Sequence, residues 1–191
     1  YSSISQGGFV LMPLAVAGLS GSGTTALRSV VLYMIIYAAT NLGVFAIILA
    51  VSNKTRSGEV SSYGGLFSYA PALGVLMTLF LASLAGIPPF GGWIAKFVAF
   101  QSLIQSQSTW GYALAIVGAV NSVVAFGYYG NVMREIWMRP VPDNDTTVIS
   151  VPGSLKLALV ITAGATLVFG ILPGVGLHFA DLAEIAGAII R

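Results

Sequence analysis

Leu84-Ala85-Gly86-Ile87-Pro88-Pro89-Phe90-Gly91-Gly92-Trp93-Ile94-Ala95-Lys96-Phe97 decides the fold of this chain. Upstream, from Pro71 to Ala85, no side chain is charged. Downstream, an apolar pattern resumes at Trp93 and continues to about Ile104. Pro88 and Pro89 between them remove two backbone donors, and Gly86, Gly91 and Gly92 flank them. The reading is one membrane-length helix interrupted over Gly86–Gly92. Lys96 follows the break by one turn and is the single charged residue between Glu59 and Arg134.

The rest of the chain agrees with a membrane setting. Hydrophobic residues make up 57% of it and charged residues 7%, whereas a soluble domain carries about a quarter charged residues. A membrane-crossing helix needs roughly 20 mostly apolar residues. Working outward from the broken helix, the pattern predicts helices at about Ile4–Leu19 with a kink at Pro13, Val30–Val51, Trp110–Met133 and Leu155–Leu172. The expected fold is therefore all-α: a single transmembrane domain over residues 1–191, of about five helices, one of them broken. Ser20–Thr25, Ser52–Gly65 and Arg139–Gly153 read as loops, and Val175–Ile190 as an amphipathic tail too polar to span.

Composition also excludes function classes. There is no cysteine and one histidine, His178, so thiolate chemistry and a histidine metal cluster are ruled out within the chain. A net charge of +2 is too small and scattered for nucleic-acid binding. Tyr1 stands where a complete chain has Met, and no signal peptide precedes it, so the chain reads as a fragment. Lys54, Arg56, Arg134, Arg139 and Lys156 gather at one side, Arg28 and Arg191 at the other. The positive-inside rule makes the first side cytoplasmic and puts the C-terminus outside the cytoplasm.

A charge at membrane depth costs a few kcal/mol on insertion scales. Lys96 is thus either snorkelling to the interface or serving as a protonatable group in an ion path; the apolar run that continues past it favours the second. Non-helical backbone within a membrane persists where protein or water satisfies it, and broken helices leave carbonyls and amides pointing at ion sites. Thr40, Asn41, Thr78, Ser83, Asn121, Ser122, Tyr128 and Tyr129 are weaker candidates for lining a hydrated path, each alone being as well explained by interhelical bonding. Tyr128, Tyr129 and Trp137 also suit an interfacial belt. Gly7, Gly8 and Gly43 read as close-packing positions, and His178 as a surface residue near Asp181.

Three stretches resemble a known family. Tyr1-Ser2-Ser3-Ile4-Ser5-Gln6-Gly7-Gly8-Phe9 and Tyr37-Ala38-Ala39-Thr40-Asn41-Leu42-Gly43-Val44-Phe45 are similar to two helices of the antiporter-like membrane subunits of respiratory complex I. Gly86-Ile87-Pro88-Pro89-Phe90-Gly91-Gly92, with Lys96-Phe97 after it, resembles that family's broken-helix signature. Within the family the N subunit fits best: the M subunit has a glutamate at the position of Lys96, and the L subunit continues into a long lateral helix. The resemblance implies a C-terminal fragment of a subunit of about fourteen helices, in the bacterial inner membrane. It implies a proton-pumping role with Lys96 as the titrating residue, and Gly86, Pro88, Pro89, Gly91 and Gly92 as the hinge. It implies no cofactor in this chain, with flavin and iron–sulfur clusters on partner subunits of a hetero-oligomer. Many members have a histidine where Gln6 stands, and glutamine cannot titrate. Rival readings are a subunit of a multi-subunit sodium/proton antiporter or membrane-bound hydrogenase, or a purely structural membrane subunit.

Overall fold

A computed structural model describes residues 2–19 and 23–189, with side chains as far as residue 181. Tyr1, residues 20–22 at the start of the first predicted loop, and Ile190 and Arg191 lie outside the described residues. Eight α-helices, two short 3-10 helices and no strand are found among the described residues; the α-helices are α1 (Ser2–Val16), α2 (Gly23–Thr55), α3 (Leu66–Tyr69), α4 (Pro71–Ala85), α5 (Gly91–Gln105), α6 (Thr109–Met138), α7 (Gly153–Ile171) and α8 (Pro173–Ile189).

The five expected helices, the broken one counted once, are α1, α2, α4 with α5, α6 and α7, and α3 and α8 are additional. The break makes two helices, α4 and α5, out of one apolar stretch. One four-residue helix, α3, forms in the loop after α2, and the polar tail is helical as α8. Helix ends move for a related reason. Hydropathy marks where a helix leaves the bilayer, whereas the backbone continues until a residue breaks it. Thr24, Thr25 and Arg28 at one end of α2, and Ser52 to Lys54 at the other, are polar but helix-compatible. The 33 residues of α2 span about 50 Å at 1.5 Å per residue, longer than the roughly 30 Å hydrocarbon core. Helix α1 continues through Pro13.

By length and apolar content α2, α6 and α7 are each able to cross a membrane. Helices α4 and α5, of 15 residues each, are both too short to cross alone. Two apolar cores meet at the level of the break. One joins the C-terminal half of α2 to α4, α6 and α7 through Ile47, Phe80, Tyr129 and Leu159. The other joins the N-terminal half of α2 to α1, α5 and α8 through Phe9, Leu32, Ala99 and Ala180. Tyr37 packs against both.

The two ends of the bundle are tied differently. At one end, Lys54 Nζ donates to the carbonyls of Asp145 and Thr147 at 2.9 and 2.7 Å and lies 4.0 Å above the Tyr69 ring, fastening the α6–α7 loop to α2. The hydroxyl and amide of Thr147 hold the exposed Asp145 carboxyl below the usual carboxylate range. At the other end, Arg28 Nε meets Asp181 Oδ1 at 2.7 Å, fixing α8 along α2. Lys54 and Arg28 therefore lie at opposite ends, as the distribution of basic residues implies.

Candidate functional site

The break is built from glycine and hydrogen bonding. Gly86 ends α4 in the left-handed region, φ 91°, where its amide donates to the carbonyls of Ala82 and Ser83, and Ile87 N–H donates to Ala82 O at 3.0 Å. This closure satisfies early carbonyls of the last turn and leaves later ones free. The Pro88–Pro89 peptide is cis. Helix α5 then begins on a side-chain cap from its own other half: Gly92 N–H donates to Ser83 Oγ at 3.0 Å. A Cβ on Gly92 would lie 1.8 Å from Ser83 O, so the two half-helices are in backbone contact there.

Lys96 points back to the free end of α4. Its ammonium donates to Ala85 O at 3.0 Å and sits 4.6 Å from the Phe9 ring centroid; Ser122 Oγ of α6 lies at 3.5 Å, a marginal contact. The residue is 6% exposed. A helix C-terminus carries partial negative charge on its unsatisfied carbonyls, so the cation is placed where α4 favours it. The ion pairs among the described residues are Arg28–Asp181, Lys54–Asp145 and Arg139–Glu135, none of which involves Lys96. Gly86 makes room for the stem: a Cβ there would fall 2.9 Å from Lys96 Cδ.

One carbonyl earlier on α4, Leu84 O accepts from Gln6 Nε2 at 3.1 Å. Gln6 is 1% exposed and bonds to three helices: Nε2 also donates to Tyr129 OH of α6 at 3.0 Å, and Oε1 accepts from Tyr33 OH of α2. Tyr129 OH continues to Ser2 Oγ at 2.6 Å. On the far side of the break, buried Thr40, Ser83 and Thr166 bring three hydroxyls together from α2, α4 and α7.

The sequence-derived candidates divide accordingly. Lys96, Gln6, Ser83 and Thr40 converge on the break, and Ser122 reaches its edge. Asn121 does not face Lys96; it donates to Ser5 Oγ at 2.8 Å across α1 and α6. Tyr129 rather than Tyr128 joins Gln6, and the buried Tyr128 hydroxyl has no partner among the described residues. Asn41 is half-buried beside Thr40 and makes no hydrogen bond to a described residue, because adjacent helical positions point about a quarter-turn apart. Thr78 and Trp137 bond to each other at 2.8 Å, away from the break. Gly43 is a close-packing position, with the Phe80 ring where a Cβ would be, but Gly7 and Gly8 face open space. Tyr33 and Thr166 were missed. Each sits in an apolar run with no motif around it, and α7 showed no link to the break until Gly170 placed its backbone against Pro89 O, 1.9 Å from a built Cβ.

A protein-family model described as NADH:quinone oxidoreductase/Mrp antiporter, transmembrane, matches residues 1–122. The chain belongs to this family. The antiporter-like family thus covers the broken helix, Lys96 and Gln6 alike. A protein named NADH-quinone oxidoreductase subunit N from Dehalococcoides mccartyi is 39% identical over 173 residues, covering 91% of this chain and 35% of that protein. One of the same name from Geobacillus sp. is 34% identical, covering 95% of this chain and 35% of that protein. The chain spans about a third of the length of these relatives. Among solved structures, a chain of respiratory complex I from Thermus thermophilus with bound aureothin aligns over 92% of this chain and 44% of its own, at TM-score 0.67 and 22% identity, a likeness of fold.

Proposed function

We propose that this chain is the C-terminal part of a proton-translocating membrane-arm subunit of an NADH:quinone oxidoreductase, and that Lys96 is its titrating residue. The observation that carries the reading is a lysine buried at the junction of two half-helices, held by the free Ala85 carbonyl and a ring face. An ammonium stabilised by neutral groups alone can lose its proton without leaving an unpaired carboxylate behind. The half-helix ends supply the fixed dipoles that make the charged form tolerable at depth.

In this reading residues 1–191 form one transmembrane domain in the bacterial inner membrane, with the Lys54 end cytoplasmic and the C-terminus outside the cytoplasm. The chain contributes no redox step. Electrons pass through flavin and iron–sulfur clusters on partner subunits, and quinone reduction drives the change in charge around Lys96. Gly86, Pro88, Pro89, Gly91 and Gly92 hold the break open. Gln6, Thr40 and Ser83 form the polar path beside it, with Ser122 at its margin. The partners are the other membrane-arm subunits and the surrounding lipid. The sequence relatives, named as subunits of an NADH-quinone oxidoreductase, favour this over a free-standing cation antiporter.

The test is Lys96→Met and Lys96→Arg in the full-length subunit, assembled in sealed membrane vesicles. Arginine keeps the charge but does not deprotonate at neutral pH. Both variants are expected to assemble and to lose quinone reductase-linked pumping. Full pumping in both overturns the role of Lys96. Copurification with other antiporter chains, without flavin and iron–sulfur subunits, overturns the assignment of the complex.

A further inference from the structure

A polar cavity of about 320 Å³ lies at the Lys54 end of the bundle. It sits between the end of α2, the 3-10 turn Val60–Tyr63 with α3, and the loop after α6. That volume is at the small end of small-molecule sites. Among its walls are Lys54, Ser57, Ser62, Tyr69, Asp143 and Asp145. The chain itself fixes these walls. Gly65 N–H donates to Glu135 O of α6 at 3.0 Å, and a Cβ on Gly64 would lie 2.6 Å from Pro140 O.

Two buried hydroxyls face this cavity unpaired. Ser62 and Tyr69 are 7% and 8% exposed, and neither hydroxyl has a hydrogen-bond partner among the described residues. Buried polar groups are rarely left so. The charges around them are half paired. Lys54 gives two protons to Asp145 O and Thr147 O, and its remaining contact, Asp145 Oδ2 at 3.6 Å, is beyond hydrogen-bond range. Asp145 Oδ1 is taken by the amide and hydroxyl of Thr147. Lys54 and Asp145 thus offset each other. Asp143 is left as the cavity carboxylate with no hydrogen bond or ion pair to a described residue. A metal ion suits this arrangement poorly. Asp145 already has its donors and an ammonium beside it, and no group of three His, Cys, Asp or Glu side chains that could hold a metal lies among the described residues. A ligand with an anionic oxygen and an ammonium of its own uses every unpaired group.

The cavity is at the level of lipid headgroups. Arg28 and Lys54, towards the two ends of α2, lie about 39 Å apart along its axis at 1.5 Å per residue. That is close to the roughly 40–45 Å of a bilayer with its headgroup layers. Phe67 and Trp137, 40% and 45% exposed with rings stacked 4.2 Å apart, supply an interfacial aromatic pair there. Phe67 precedes Tyr69 by two residues, and Trp137 precedes the loop by two.

We propose that this cavity binds a phosphoethanolamine group, the headgroup of an aminophospholipid. Its phosphate oxygens accept from the Ser62 and Tyr69 hydroxyls and the third Lys54 N–H, and its primary ammonium donates to Asp143. The bound group ties α2 and α3 to the loop after α6. Nothing in this site depends on the role of Lys96.

The experiment places the assembled complex, with the full-length subunit, in nanodiscs at neutral pH and follows amide hydrogen exchange of residues 139–147 by mass spectrometry. The discs hold phosphatidylglycerol mixed with phosphatidylethanolamine, its N-methyl or N,N-dimethyl form, or phosphatidylcholine. Methylation removes N–H donors and leaves the phosphate and the charge. Exchange is expected to be about tenfold slower with phosphatidylethanolamine than with phosphatidylcholine, the scale of one hydrogen bond to a charged group. The turn at residues 105–109 is the control. It lies towards the Arg28 end, where Ser29 of α2 donates to Val98 O of α5, and its exchange should not follow the lipid. Ser62→Ala and Tyr69→Phe each remove one hydroxyl. Asp143→Asn removes the charge with a residue that tolerates its φ of 54°. Each variant is expected to shrink the lipid difference to about threefold or less. Equal wild-type exchange in phosphatidylethanolamine and phosphatidylcholine overturns the proposal, and this lipid series decides even where a variant fails to assemble. So does a difference that survives in all three variants, or one that appears equally in the control turn. Glycerophosphoethanolamine added to phosphatidylcholine discs distinguishes the source: protection by it supports the site with a soluble ligand of the same chemistry, and no protection supports the lipid. Equal protection by magnesium chloride alone overturns the headgroup in favour of a cation.

Discussion

Gly170 in α7 is expected to be among the least replaceable residues of the chain. A Cβ built on it lies 1.9 Å from Pro89 O, 2.5 Å from Phe90 C and 2.7 Å from Gly91 N. These are backbone atoms of the break, so no side-chain rotation relieves the contact. Reaching ordinary contact at 3.4 Å means moving α7 or the break by about 1.5 Å. Moving the break disturbs the start of α5, and with it the turn that carries Lys96. Overpacking costs about 1–3 kcal/mol, occasionally more, and the rigid obstacle puts Gly170→Ala at the upper end. Gly164 is the control: it lies on the same helix, and a Cβ there meets nothing within 4 Å. Gly164→Ala should be neutral or gain up to about 1 kcal/mol from helix propensity. The assay is thermal inactivation of the solubilised full complex, with the membrane level of the subunit measured alongside. Equal thermal stability of Gly170→Ala and Gly164→Ala would refute the close approach of α7 to the break.

Gly86→Ala meets both a positive φ, costing about 1–2 kcal/mol, and the Lys96 stem 2.9 Å away; pumping should fall further than the amount of assembled subunit. Ser83→Ala removes the cap on Gly92 and should cost about 1 kcal/mol of thermal stability, whereas Ser83→Thr should keep the bond. Lys54→Met frees the loop that Lys54 holds at Asp145 O and Thr147 O, so limited proteolysis within residues 139–152 should quicken while the helices stay intact. Asp145, whose pKa is depressed by Thr147, contributes to that loop above the ordinary carboxylate range and loses its contribution as pH falls through the lowered value. Cleavage of the wild-type loop should therefore rise on acidification, and Asp145→Asn should flatten that dependence.

The broken helix was legible because its signal is local: two prolines between glycines inside an apolar stretch admit no regular helix. Lys96 was legible as the one charge in a long uncharged span. Its partners were not. The groups that hold it are a backbone carbonyl and a ring face, and every residue has a carbonyl. Which one is left free depends on how α4 ends at Gly86. Tyr33 and Thr166 escaped because a hydroxyl in an apolar helix looks the same whether it turns to a neighbour or back to its own carbonyl. Thr166 does both. The tail reads in the sequence as amphipathic, and α8 lays its one apolar side on α2 through Leu177 and Ala180.

The placement of Lys96 bears on how distant redox chemistry would act on it. Insertion scales put a central lysine at about 2.5–3.5 kcal/mol. Against this stand one hydrogen bond to a charged donor, about 1.5–3 kcal/mol, the helix end, about 0.3–1 kcal/mol and up to about 2 when partly buried, and the Phe9 ring face, about 0.5–2 kcal/mol. The helix-end contribution acts through the same Ala85 carbonyl as the hydrogen bond, so the favourable contributions reach at least the order of the insertion cost and hold the ammonium without a carboxylate partner. A tight carboxylate partner would fix the charged form, because breaking a buried pair costs roughly 3–5 kcal/mol. With neutral partners, a field change of about 2.3 kcal/mol, the work of moving one charge through 100 mV, is large enough to decide the protonation state. Lys96→Glu puts this to the test: a carboxylate facing Ala85 O meets a lone pair and the negative end of α4 instead of a donor. If the site is built for a cation, Lys96→Glu should pump less than Lys96→Gln, which still donates to that carbonyl; the reverse order would mean that the α4 end does not set the charge preference of the site.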